Sequence, residues 1–193
     1  MFSIEEIRED ALKREIPIMK DDGIAYLCDF IRKQNIKRIL EIGTAVGYSS
    51  ICMADVADDV FVTTVERDEQ RYEEAITNIR DMQKENRITV VCMDALEYED
   101  DGEYDLLFID AAKSSNGRFL DRFGKNVKVG GYVIVDNMYF YGFVDDIGQV
   151  RTKNLRQLVQ KIQKFKEQIM NHPDYEAEYL QTGDGIIIAK KIR

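Results

Sequence analysis

The chain has 193 residues, 45% of them hydrophobic and 33% charged, and a formal charge of −9. That length suits one sizeable domain with a single core, spanning 1–193, and is too short for two ordinary ones. The acidic balance argues against a protein that coats nucleic acid without specificity, although it allows a local basic patch. No apolar run approaches the roughly 18–20 residues that a membrane helix needs. The start, "MFSIEEIREDALKREIP", lacks the basic, apolar and small-residue regions of a secretory signal, so a cytoplasmic location and no membrane partner are expected. Cys28, Cys52 and Cys92 are odd in number and widely spaced, which offers neither a disulfide framework nor a zinc spacing; small core residues are expected.

Taken in chain order, apolar β-branched runs occur at "RILEI" (38–42), "VFVTTV" (60–65), "ITVVC" (88–92), "DLLFI" (105–109) and "YVIVD" (132–136). Segments of helical period separate them. In "DEQRYEEAITNIRDMQKE" (68–85), Tyr72, Ala75, Ile76, Ile79 and Met82 fall on one face. Strands that are apolar throughout imply a parallel sheet covered on both sides. A helix over about 151–170 then leads to "EAEYLQ" and "GIIIAKK", joined by "TGDG", which reads as an antiparallel hairpin at the sheet edge. The expected architecture is α/β and Rossmann-like: seven strands, mostly parallel, helices on both faces and a C-terminal antiparallel hairpin.

A doubly wound sheet binds ligands beyond the C-terminal ends of its strands. After the first strand comes "EIGTAVGYSS", in which Gly43 and Gly47 permit a tight turn. A dinucleotide fingerprint needs glycine at 43, 45 and 48, and the chain has Ala45 and Tyr48. The motif that opens on Glu41 and Gly43, followed by Glu66 at the end of the second strand, suits a ribose without a pyrophosphate, as in S-adenosylmethionine. Asp94 and the Ala95 amide are placed to read an adenine edge. Asp is also a favoured helix N-cap, so each acid alone has a structural alternative. Their coincidence carries the reading, because Glu66, Asp94, Asp110 and Asp136 end four successive strands.

Adjacent parallel strands lie about 5 Å apart, so Asp110 and Asp136 would share one crevice, and two such carboxylates repel unless a positive charge lies between them. With Asn137 the set is oxygen-only, which suits Mg2+ or another hard divalent cation and not zinc. Lys113, a surface lysine in the alternative, stands three residues past Asp110, where an ammonium beside a dication can give up its proton and act as a base.

These stretches, from "IPIM" (16–19) through "ILEIGTAVGYSS", "VERD", "DAL", "FIDAAK" and "VIVDN" to "GDGIIIAKK", resemble the cation-dependent class I O-methyltransferases of the catechol and caffeoyl-coenzyme A type. Within that family "VDNMYFYGFV", the basic helix and "NHPDY" are most similar to the bacterial tRNA 5-hydroxyuridine methyltransferases, which make 5-methoxyuridine at the wobble position. The resemblance implies cofactor contacts at Met19, Ser49, Glu66, Asp94 and Ala95, with Glu41 and Gly43 in the motif. It further implies metal ligation by Asp110, Asp136 and Asn137, with Asp110 near both groups; from the constellation itself, Lys113 is expected to take the substrate proton. A homodimer is the common assembly among such proteins.

Between Gln149 and Lys166 the chain carries Arg151, Lys153, Arg156, Lys161, Lys164 and Lys166 and no acid. This basic helix (151–166) fits a tRNA partner or a solvated face. Three functions are therefore carried forward: a tRNA wobble-uridine enzyme, a catechol-type small-molecule enzyme, and an inactive cofactor-binding module. His172 is expected in a turn, and Tyr139, Phe140, Tyr141 and Phe143 either wall a substrate pocket or pack as a lid or dimer contact.

Overall fold

The computed structural model describes residues 3–193. Helix α1 (Ile4–Lys13) and α2 (Asp21–Lys33) precede strands β1 (Arg38–Ile42), β2 (Phe61–Glu66), β3 (Ile88–Cys92), β4 (Tyr104–Ile109) and β5 (Val127–Val135). Between them lie α3 (Tyr48–Ala54), α4 (Glu69–Asp81) and α5 (Asn116–Phe123), and the chain closes with α6 (Lys153–Met170), β6 (Tyr175–Leu180) and β7 (Ile186–Lys191). The seven strands form one sheet in the order β3-β2-β1-β4-β5-β7-β6. Pairs among β1 to β5 are parallel, whereas β7 runs antiparallel to both β5 and β6.

Local chemistry explains the boundaries. Ser3 and Glu6 close a reciprocal capping box that starts α1. Asp68 accepts from the Arg71 amide and starts α4 one residue later than its periodicity begins, and Thr152 caps α6 in the same way. Consecutive residues of β1 face opposite sides: Ile39 packs with α1 to α4, and Leu40 and Ile42 pack with α5 and α6. Burying each such side chain stabilises the fold by roughly 1.5–3 kcal/mol.

Three expectations are modified. Strand β5 begins at Val127, five residues earlier than its apolar run, and its pairing with β4 shifts register between Tyr104 and Leu106, opposite Gly130 and Gly131. The hairpin does reach the sheet edge, but only β6 is the edge strand; β7 is internal, and its Ile186, Ile187 and Ile188 are buried. Cys92 is exposed and not a core residue, because β3 ends the sheet on the other side and lacks a neighbour there. Strand order reverses between β1 and β4, which leaves a crevice above their carboxyl ends.

Candidate active site

A cavity of about 320 Å³ opens at that reversal. Its walls include Met19, Gly43, Ser49, Glu66, Asp94, Ala95, Asp110 and Lys113, so one space gathers eight of the eleven residues singled out from sequence. The turn after β1 fits because Gly43 adopts φ +104°, and a Cβ there would lie 2.2 Å from the Asp110 carbonyl oxygen. Only glycine lets the two strand ends approach so closely.

Glu66 is buried, and its carboxylate is held by three backbone donors: the amides of Ala45 (2.8 Å), Arg67 and Asp68 (both 2.9 Å). Those bonds fix the orientation of a carboxylate that forms part of the cavity lining. Asp94 closes an Asx turn onto the Leu96 amide at 2.8 Å and sets Ala95 on the wall.

Glu41 does not reach the cavity. It is fully buried, and its two oxygens accept from the Ser49 and Ser50 hydroxyls at the start of α3. Burial pushes its carboxyl up to about 7. Its place is beneath the turn, where it fastens α3 to β1, and the expected cofactor contact is replaced by this internal bracket. Thr44 and Thr64, 2.7 Å apart through their hydroxyls, continue the same buried polar seam.

Asp136 and Asn137 lie beside the cavity, brought to Asp110 by the pairing of Ile109 with Val135. Asn137 takes φ +65°, a left-handed conformation that Asn tolerates, and this turns its side chain back toward Asp110. Its Nδ2 donates to Asp110 at 3.0 Å, while its own amide donates to Asp136 at 2.7 Å. Burial, reinforced by Asp110 alongside, pushes the Asp136 carboxyl up to about 7, and burial likewise raises that of Asp110. Two acids that resist ionising together mark a place where an added positive charge is favourable. Among the described residues no group of three or more His, Cys, Asp or Glu side chains gathers at one point. A hard cation would therefore have two carboxylates, the Asn137 amide oxygen after rotation of that amide, and open positions, which fits an oxygen-seeking divalent ion.

Sequence reasoning missed Lys20 and Asp184. Lys20 pairs with Asp184 of the "TGDG" turn, and Asp184 lies close enough to raise the proton affinity of Asp110 and Asp136. The turn residues were legible, but nothing in their spacing showed that the turn folds back onto the strand ends. Within the aromatic run Phe140, Tyr141 and Phe143 make a cluster of edge-on and tilted rings, with Tyr141 77% exposed. His172 takes a turn role, its Nδ1 accepting from the Asp174 amide at 3.1 Å.

Sheet order, cavity and acid pair together define a doubly wound α/β protein with a cavity at its switch point beside an anionic pair. Comparison with known proteins makes the class specific: the O-methyltransferase family model matches residues 1–192, and the chain belongs to that family. A caffeoyl-CoA O-methyltransferase of Populus kitakamiensis is 27% identical over 98% of this chain and 86% of its own length. Among solved structures, a Staphylococcus aureus protein provisionally named a caffeoyl-CoA O-methyltransferase is 40% identical, covers 99% of this chain and 93% of its own, and superposes with a TM-score of 0.94. A Bacillus cereus O-methyltransferase solved with S-adenosylhomocysteine is 28% identical, with 97% and 90% covered and a TM-score of 0.83.

Proposed function

We propose that this O-methyltransferase takes its methyl group from S-adenosylmethionine and transfers it, with a divalent cation bound, to an acidic ring hydroxyl that has a second oxygen beside it. The observation that carries the reading is the meeting of Glu66, Asp94 and Asp110 on one cavity wall with Asp136 and Asn137 next to it. In this reading Glu66 accepts from the ribose hydroxyls, and the Ala95 backbone reads the adenine edge. Met19 and Ser49 pack along the donor. Asp110, Asp136 and Asn137 would hold Mg2+ or a similar ion, which lowers the pKa of a bound hydroxyl and offsets the charge of the acids. Lys113, on the cavity wall in the short helical turn Lys113–Ser115, takes the hydroxyl proton. Alignment of acceptor and methyl in a site shielded from water supplies most of the rate. The Bacillus cereus relative's product complex and the intact acid set support this reading.

For the acceptor we favour 5-hydroxyuridine at the tRNA wobble position, converted to 5-methoxyuridine. The supporting feature is α6: Lys153, Lys161 and Lys164 are exposed on its solvent face, and none has an ion-pair partner among the described residues. A catechol-type small molecule is the second reading, favoured by the names of the caffeoyl-CoA relatives. A cytoplasmic homodimer belongs to the same proposal; among the described residues no helix is long and apolar enough to cross a membrane.

Two measurements test the reading. Calorimetry with S-adenosylmethionine and NAD tests the donor, and binding of NAD alone would reverse that assignment. Nucleoside mass spectrometry of tRNA carrying 5-hydroxyuridine, incubated with enzyme, donor and Mg2+, tests the acceptor against a catechol run in parallel. A much faster catechol reaction puts the second reading first.

A further inference from the structure

The segment between α1 and α2 forms one wall of the cavity through Pro17, Ile18 and Met19. It leaves α1 at Glu15, which has φ +56°, and enters α2 after Lys20. Past Met19 it is tied on two sides: Asp21, the first residue of α2, pairs with Arg8 of α1, while two further contacts go to the β6–β7 turn. Lys20 pairs with Asp184, and Asp22 accepts from the Gly183 amide at 2.9 Å. The two backbones also meet closely, since a Cβ on Gly183 would lie 3.2 Å from the Gly23 Cα. The turn is in turn fastened to the residues after Asn137: the Met138 amide donates to Gly185 and the Tyr139 amide to Asp184, at 2.8 and 2.7 Å.

We propose that Lys20 and Asp184 are positioning residues that latch the 15–20 segment over the donor cavity, so that the same turn closes this wall and supports the acid pair. The proposal rests on the donor-cavity reading above. Lys20 is more than half exposed and Asp184 about a quarter, so the pair contributes only modestly and the latch can open on each catalytic cycle. Opening this wall would widen the path for donor and product; the rest of the lining comes from the strand ends, the loops that follow them and helices α3, α4 and α5. Opening at Lys20–Asp184 loosens the segment at its junction with α2 and leaves the strand pairing intact.

The experiment uses the full chain and the variants Lys20→Met, Asp184→Asn and the exchange Lys20→Asp with Asp184→Lys. The first readout is the rate of subtilisin cleavage within 15–20 in ligand-free protein, which needs no donor. The second is the dissociation rate of S-adenosylmethionine by stopped flow. Either single variant should speed both, by up to about fivefold, the ceiling for one part-exposed ion pair; the exchanged pair should return both toward wild type. A purely electrostatic role at the acid pair gives a different pattern: Lys20→Met would strengthen Mg2+ binding and Asp184→Asn would weaken it, with cleavage unchanged. That pattern, or an exchange that fails to restore slow cleavage, overturns the latch. A wild type that binds no S-adenosylmethionine overturns the donor reading instead, and the cleavage rates still decide the latch.

Discussion

The close approach of Gly43 to Asp110 allows a sharp prediction for Gly43→Ala. The new Cβ would lie 2.2 Å from the Asp110 carbonyl oxygen and 2.9 Å from its carbon, both backbone atoms that no rotamer change can move. A non-glycine residue at φ +104° adds strain of about 1–2 kcal/mol, and forcing the two strand ends apart adds about 1–3 kcal/mol. The total of about 2–5 kcal/mol corresponds to a fall in Tm of roughly 4–20 °C for a domain of this size. Gly130→Ala is the control, since Gly130 has φ +86° but nothing within 4 Å of its added Cβ. It should cost only the strain. Differential scanning calorimetry of both variants, with S-adenosylmethionine titrations at a temperature where each is folded, separates the effects. Gly43→Ala should weaken donor binding at least tenfold while Gly130→Ala leaves it unchanged. Equal losses of stability in the two variants, or full donor affinity in Gly43→Ala, would refute the claim that strand-end contact is what the glycine serves.

The remaining predictions concern charge. The Glu41 proton is held more tightly in the folded state, so its contribution to stability is full below about 4.5 and lost as pH rises through about 7. Glu41→Gln should remove a slope on the order of 3 kcal/mol across that window, read as the difference between denaturant titrations of variant and wild type. Asp136→Asn should abolish Mg2+ binding measured by calorimetry, and exhaustive chelation of the wild type should stop turnover; turnover that persists would give the acid pair a purely structural role. Replacing Lys153, Lys161 and Lys164 by alanine should lower the slope of log tRNA affinity against log salt by about 0.7–0.9 for each phosphate that is no longer neutralised, and leave donor affinity unchanged.

Much of this was legible because the informative residues sit where apolar runs stop. The acids Glu66, Asp94, Asp110 and Asp136 are visible as interruptions of β-branched segments, and parallel topology converts sequence order into a shared rim. Glu41 was harder to read, since its period-two place inside β1 decides whether it meets ligand or core, and the hydroxyls that hold it come from the next helix. The solvent exposure of Cys92 depends on β3 being an edge strand, which is a property of strand order and not of local composition. Lys20 and Asp184 are 164 residues apart, so no local pattern could join them.

The register shift between β4 and β5 divides the chain into regions of unequal tolerance to length change. Below it, opposite Gly130 and Gly131, the ladder is already out of step, and an inserted residue adds to an existing irregularity. Above it, four consecutive pairs from Leu106–Tyr132 to Ile109–Val135 run in step up to the acids. One residue added there turns Asp136 to the far side of the sheet and puts Val135 beside Asp110. A change of length is thus better absorbed at the foot of β5, while the short run of residues ahead of Asp136 acts as a measured ruler.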